Sequence, residues 1–463
     1  MLLLHATPTS SISFSRCCLR LQGASKHKPS SLVSSAWATN TALSRTSPRG
    51  HKPSPSSSAS FASITTTTTT MAQSTSPTAS KPGLTQHLTL PDHHHEQTTT
   101  PTTTTTTPRL VYGTAWKATQ TASLVHAALR AGFRGIDTAN QPRHYSEGLV
   151  GRGIAWALAD GTIKSRAELF VQTKFTGPQG QDRPVEQGGK GCPYYHEDPL
   201  ETQVRSSVEG SFVNLFGKDS SSSSSDDDDS GGGGGGAAEG TDIEVEAGAT
   251  AAAAPAAATT YIDSLVLHSP MPTYSETFAV WKVLESYVPH RIRHLGIANA
   301  PLEVVERLYH ETTTTTTEGA GAGLSVPPSV VQNRFYAPTG YDADLRRFCR
   351  ERGIVYQSFW TLTANNADNR MRGKVDLVGS KPVAKLAAAF KNGEVSREVA
   401  YYSLVLGLEG ITILDGTTSE VHMREDLDGV DAVGRFAASE EGRVVWEECL
   451  AEFKALIGED DEF

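Results

Sequence analysis

From Arg109 onward, short apolar runs alternate with amphipathic stretches of helical length, and the alternation repeats eight times. Apolar runs at 110–113, 135–137, 169–174, 264–268, 294–298, 330–333, 355–359 and 411–414 read as strands. Helix-period stretches follow at 121–131, 147–159, 200–216, 274–287, 302–310, 342–352, 383–408 (interrupted near Gly393) and 420–427, with one more at 445–456. Strands that alternate with helices imply a parallel sheet joined by helical crossovers. Eight copies of one unit fit a sheet closed on itself better than an open one. No Gly-x-Gly-x-x-Gly follows the first strand, which argues against an open dinucleotide-binding sheet. The predicted fold class is therefore α/β, a (β/α)8 barrel.

The rest of the 463 residues are of a different kind. Residues 1–108 are rich in Ser, Thr, Pro and Ala and lack a periodic apolar pattern, and low-complexity tracts interrupt the barrel within 217–260 and 311–325. Such segments bury too little apolar surface to offset the entropy of ordering. About 270 residues remain for a barrel spanning 109–430, near the usual size of one, and 431–463 reads as a C-terminal helical extension. Both tracts fall between a helix and the next strand, on the barrel face opposite the usual catalytic one. The expectation is thus a barrel with a disordered N-terminal segment and two low-complexity αβ-loop insertions. The segment 175–199 instead follows a strand and is a candidate pocket wall.

No Asp or Glu precedes Asp92, so the basic, hydroxyl-rich start resembles an organellar transit peptide. A start at Met71, or a merely disordered tail, is the alternative. The expected location is cytoplasmic, or mitochondrial or chloroplast if the transit reading holds. The net charge of −10 and the lack of a basic stripe argue against nucleic acid as a partner. No apolar run reaches the roughly 18–20 residues of a membrane span. Five cysteines without CxxC spacing suit a reducing compartment. Cys192 reads as inert, the Asp226–Asp229 run as a solvated linker, and the histidines between Asp92 and Glu96 as weak grounds for a metal site. A small-molecule ligand and a monomer or weak oligomer are expected.

Barrels place their chemistry at strand C-terminal ends. Here three successive strands end in Asp137, Lys174 and His268, and Tyr145 lies in the loop after the first of them. Reducing a carbonyl takes a hydride at carbon and a proton at oxygen. Tyr145 could give the proton if Lys174 lowered its pKa. Asp137 would keep Lys174 charged and oriented, and His268 would donate a hydrogen bond to the substrate oxygen. Each residue alone has an ordinary structural explanation; together, at these strand ends, they form a site.

The string Gly-Ile-Asp137-Thr-Ala, followed by Tyr145-Ser-Glu-Gly-Leu-Val-Gly, resembles the signature of the aldo-keto reductases, and Lys174 and His268 match the rest of that family's tetrad. The similarity runs from about residue 109 to about 427. It implies a TIM barrel that reduces aldehydes and ketones and binds a nicotinamide cofactor in extended form, NADP(H) rather than NAD(H), with no metal. It further implies cofactor contacts at Gly113, Thr114, Ala298, Asn299, Asn333 (or Gln332, one register away), Phe359, Leu362 and Thr417. Asn299 and Asn333 would hold the carboxamide, and Phe359 would stack on the nicotinamide. Trp116 is expected in the substrate pocket, while Tyr194 and Tyr195 are either pocket wall or plain loop aromatics.

Two departures stand out. Asp137 and Tyr145 are three residues further apart than is common in the family, so Gln-Pro-Arg must bulge. Asp415 stands where the family has a lysine for the 2′-phosphate and would repel that group; Arg424 could compensate, with Glu425 and Asp426 matching adenine contacts. A cofactor-binding regulatory barrel with little turnover, and a metal-dependent hydrolase on the same barrel, are the alternatives from other classes.

Overall fold

A computed structural model describes residues 83–91, 104–182, 191–217, 260–313, 323–367 and 375–459. The readings of a transit peptide, of a start at Met71, of the histidines between Asp92 and Glu96 and of the Asp226–Asp229 run fall outside these residues, as do most of the two low-complexity tracts.

The eight strands are β3 (Leu110–Gly113), β4 (Gly135–Asp137), β5 (Phe170–Phe175), β6 (Ile262–Leu267), β7 (Ile292–Ala298), β8 (Val330–Arg334), β9 (Val355–Phe359) and β10 (Ile411–Asp415). They form a closed barrel in the order β10-β3-β4-β5-β6-β7-β8-β9, and every pairing is parallel. Arg109 ties the seam between β10 and β3. Its buried guanidinium donates to the carbonyls of Ile411 (3.0 Å), Leu406 (2.5 Å) and Gly83 (3.2 Å).

One expectation is corrected at the N-terminal side. Residues 83–91 and 104–108 are ordered, and β1 (Leu88–Thr89) pairs antiparallel with β2 (Thr106–Thr107). Leu88 and Leu90 are buried with Phe170, Val330 and Val355, residues at the starts of β5, β8 and β9, so the hairpin closes the barrel floor. Two apolar side chains suffice because they meet a ready-made apolar surface.

The helices are α1 (Thr121–Ala131), α2 (Glu147–Ala159), α3 (Leu200–Phe216), α4 (Tyr274–Glu285), α5 (Leu302–Thr313), α6 (Ala343–Glu351), α7 (Lys381–Ala388), α8 (Arg397–Leu406), α9 (Glu420–Ala438) and α10 (Glu440–Leu456). The apolar stripe of α1 packs inward, and the helix stops at Gly132, whose φ of 118° lets its N–H reach the carbonyls of Ala128 and Leu129. Thr273 and Glu276 form a reciprocal capping box at the start of α4. The interruption expected near Gly393 within 383–408 is present: the chain turns at Gly393 (φ 72°) between α7 and α8, and Ser396 caps the second helix. Helix α9 runs on to Ala438, well beyond 427, because Val430, Ala432 and Val433 continue its buried face.

Candidate functional site

The strand ends at the C-terminal mouth do bring the four residues together. Lys174 and Asp137 sit side by side on β5 and β4. The Lys174 ammonium donates to Asp137 Oδ1 (2.7 Å), Asp137 Oδ2 (2.6 Å) and the Thr138 carbonyl (2.8 Å). Gln172 and Gln332 also donate to Asp137 Oδ1, at 2.8 and 3.0 Å, and both reach Gln357 on the far side of the barrel. The carboxylate is thus held in place by three side chains from two other strands. An ion pair this deep needs such support, since burial strips water from both charges.

Tyr145 and His268 lie above the pair. Their rings meet edge-on with centroids 6.0 Å apart, and Lys174 Nζ is 5.2 Å from the tyrosine ring centre. The three extra residues before Tyr145 are taken up in a turn in which His144 N–H and Tyr145 N–H both donate to the Gln141 carbonyl. Asn140 and Gln141 fasten that turn to Ser207 and Gly180. The His268 Nδ1 is 2.7 Å from Thr176 Oγ1, so Nε2 is the nitrogen available to a substrate.

One electrostatic expectation is reversed. Burial raises the Tyr145 phenol well above its ordinary range, and the charge of Asp137 adds to the rise. Lys174 does not counter this, because its three protons point at Asp137 and Thr138 and the ammonium sits over the ring rather than at the hydroxyl. Burial also pushes the Lys174 ammonium down, while the Asp137 carboxylate pulls it back up. His268 is driven down to about 3, first by burial and then by the positive charges of Lys174, His144 and Arg334. Its imidazole is therefore neutral at physiological pH.

The expected cofactor contacts divide. Asn299 is at the mouth, in the left-handed region (φ 51°), donating to the His268 carbonyl at 2.9 Å. Asn333 turns outward, donating to the Ala300 carbonyl and Asp342, while Gln332 reaches down to Asp137, so neither amide points freely into the mouth. Thr114 is fully buried and bonds the Asp137 carbonyl through both its N–H and its hydroxyl, and Ala298 is fully buried. Gly113 packs against the Asp415 carbonyl, and Leu362 is half-buried against the core.

Asp415 is corrected in role. It is buried and accepts a hydrogen bond from Thr417 N–H at 3.0 Å instead of facing a surface phosphate. Asp426 is also buried, on the inner face of α9, and offers no surface to a ligand. Arg424 and Glu425 are exposed on that helix and help line a surface cavity of about 410 Å³, with Arg424 paired to Glu420 at 3.7 Å. Trp116 is exposed at the rim, stacked near His144 at 3.9 Å. Tyr195 is exposed as well. Tyr194, by contrast, is buried against Phe175 and donates to the Thr176 carbonyl at 2.6 Å, so it braces the loop instead of lining a pocket. Residues 183–190 of that loop lie outside the described ones.

Two site residues escaped the sequence reading. Lys117, next to Trp116, is buried; its ammonium donates to the carbonyls of Gly416 and Thr417, across the barrel seam. Burial lowers it to about 8, with Asp415 opposing the shift. Arg334 ends β8 two residues after Gln332, on the same inward-facing side. Its Nη1 donates to Asn299 Oδ1 at 2.8 Å, and its guanidinium lies 5.0 and 4.7 Å from the Phe359 and Trp360 ring centres. The face of Phe359 expected to carry a nicotinamide thus carries a guanidinium. A lone lysine or arginine beside a strand reads in sequence as a solvated charge, and no local signal distinguishes these two.

Fold and site together define a closed (β/α)8 barrel with a buried Asp-Lys pair under a Tyr-His pair at its C-terminal mouth. The chain resembles the aldo-keto reductases. It is 23% identical over 343 residues to deoxymugineic acid synthase 1-B of Triticum aestivum, covering 69% of this chain and 82% of that one. Similar solved structures include an aldo-keto reductase of Bombyx mori in complex with NADP (TM-score 0.49, 17% identity, 77% of this chain and 95% of that one). Another is an aldo-keto reductase of Brucella melitensis (TM-score 0.46, 19% identity, 71% and 90%). No family model matches the sequence.

Proposed function

We propose that this protein is an aldo-keto reductase that reduces aldehyde or ketone carbonyls to alcohols with NADP(H) in preference to NAD(H). The observation that carries the reading is the Lys174–Asp137 pair, held by Gln172 and Gln332 directly beneath Tyr145 and His268. A bound nicotinamide would supply the hydride. The chain supplies the rest. His268, neutral and with Nδ1 engaged by Thr176, offers Nε2 to the carbonyl oxygen. Tyr145 keeps its proton at every physiological pH and gives it to the oxygen as negative charge develops there. An alkoxide is a stronger base than a phenolate, so the transfer runs downhill even from a phenol of raised pKa. Lys174, locked onto Asp137, fixes the floor on which the Tyr145 ring rests.

The residues present suit the cofactor's phosphates. Lys117 puts an ammonium at the end of β10. The space above Gly416 is open, where a Cβ would meet nothing within 4 Å. The N-terminus of α9, capped by Ser419, begins just beyond. Arg424 on the first turns of α9 is the cation that favours a 2′-phosphate. The test is a parallel titration of Trp fluorescence with NADPH and NADH, followed by aldehyde reduction with the better binder. Tighter NADPH binding with turnover is expected. Binding without turnover would favour the regulatory reading, and a preference for NADH would remove Arg424 from its role.

A further inference from the structure

Arg334 stands at the mouth among neutral partners. Its contacts are the amide oxygen of Asn299 and the faces of Phe359 and Trp360, and among the described residues no carboxylate pairs with it. Lys174, by contrast, has all three of its protons committed. A half-buried guanidinium with no carboxylate partner among the described residues is a seat for an anion that arrives with a ligand. Two aromatic rings, 5.0 and 4.7 Å away, restrain the group, and a guanidinium can offer paired N–H donors to a two-pronged acceptor.

Position narrows the kind of anion. Arg334 is joined to His268 through Asn299, whose amide oxygen accepts from Arg334 at 2.8 Å and whose amide N–H donates to the His268 carbonyl at 2.9 Å. An acceptor held by Arg334 therefore sits one side chain away from His268, on the side of the mouth where the carbonyl oxygen would meet it. We infer that Arg334 is the carboxylate-recognition group of the substrate pocket, and that the natural substrates are carbonyl compounds bearing a carboxylate. This rests on the reductase reading of the same site. Trp360, 4.7 Å away, would keep the guanidinium at the rim were a nicotinamide to be held beside Phe359. Both ends of the substrate are then gripped: the carbonyl by His268 and Tyr145, the carboxylate by Arg334. The same chemistry could come from a cofactor phosphate, and the experiment separates the two sources.

Initial rates with 4-carboxybenzaldehyde and benzaldehyde are measured for the full chain, for Arg334→Met and for Arg334→Lys. Dissociation constants for NADPH and for benzoate are measured by Trp fluorescence, Trp360 being in contact with the arginine. The wild type should prefer the carboxylated aldehyde in kcat/KM. Arg334→Met should lower the ratio of the two substrates at least tenfold, chiefly through KM, and abolish benzoate binding. Arg334→Lys should restore part of the ratio, since it returns the charge without the fork. An unchanged ratio, or a loss confined to NADPH affinity, overturns the inference and in the second case gives Arg334 to the cofactor. If the wild type reduces neither aldehyde while benzoate still binds through Arg334, the reductase reading fails and the anion seat stands. Turnover of both aldehydes without benzoate binding has the opposite meaning.

Discussion

Lys174 gives Asp137 two of its three protons, at 2.7 and 2.6 Å, and the third to the Thr138 carbonyl, so that none is left for the hydroxyl of Tyr145. The pair is fully buried, and its members depend on each other for charge compensation. Lys174→Met leaves a carboxylate stranded among glutamines and should cost about 3–5 kcal/mol of stability. Asp137→Asn with Lys174→Met removes both charges and should recover most of that loss. Urea unfolding of the single and double variants gives the coupling. Additive effects would show that the two charges are compensated by other groups.

Tyr145→Phe keeps the ring that stacks against His268 and removes only the proton. Turnover should fall by about 10²- to 10⁴-fold, the usual contribution of a positioned acid, while NADPH affinity changes little. Stopped-flow reduction and fluorescence titration measure the two separately. Wild-type rates would move the acid role to another group.

Much of this arrangement was readable in advance, for a physical reason. Asp137, Lys174 and His268 lie within one residue of strand ends, and strand ends follow from local apolar runs. The eight strands were found within one or two residues for the same reason. The hairpin at Leu88–Leu90 was not visible, because two apolar side chains carry no period; their burial depends on Phe170, Val330 and Val355, far along the chain. Arg334 and Lys117 escaped because their meaning lies in their partners. Lys117 finds Gly416 about 300 residues away, and Arg334 finds Asn299 and Phe359 on the strands to either side. The raised pKa of Tyr145 was missed since a neighbouring lysine says nothing of where its protons point.

Lys117 should give cofactor binding a pH dependence of its own. Burial lowers its ammonium to about 8, so it is charged below that pH and neutral above it. A phosphate prefers the charged form, and binding above pH 8 must take up a proton. NADPH affinity should hold steady from about pH 6 to 7.5 and then weaken, by up to tenfold per pH unit. Lys117→Met should bind more weakly at neutral pH and lose this dependence. A wild-type profile that stays flat to pH 10 would mean that the ammonium does not meet the cofactor.

Gly151, in the middle of α2, ends the signature that begins at Asp137, and packing explains why it is a glycine. A Cβ there would stand 2.3 Å from the Asn214 carbonyl oxygen and 2.8 Å from that of Leu215, both on α3. In an isolated helix Gly→Ala stabilises by about 1 kcal/mol. Here the sign should reverse, because α2 and α3 would have to separate to admit the methyl group, and such overpacking costs about 1–3 kcal/mol. Glu147, one turn earlier on α2, accepts hydrogen bonds from Thr173 on β5 and Asn214 on α3, the first beside Lys174. A shift of α2 away from α3 therefore also loosens the support of the ion pair. Gly151→Ala should lower the Tm and reduce kcat together, whereas Gly161→Ala, in open space, should affect stability only through its φ of 77°. Thermal melts and rates on the two variants test this, and a Gly151→Ala protein as stable and active as the wild type would show that the helices can part without cost.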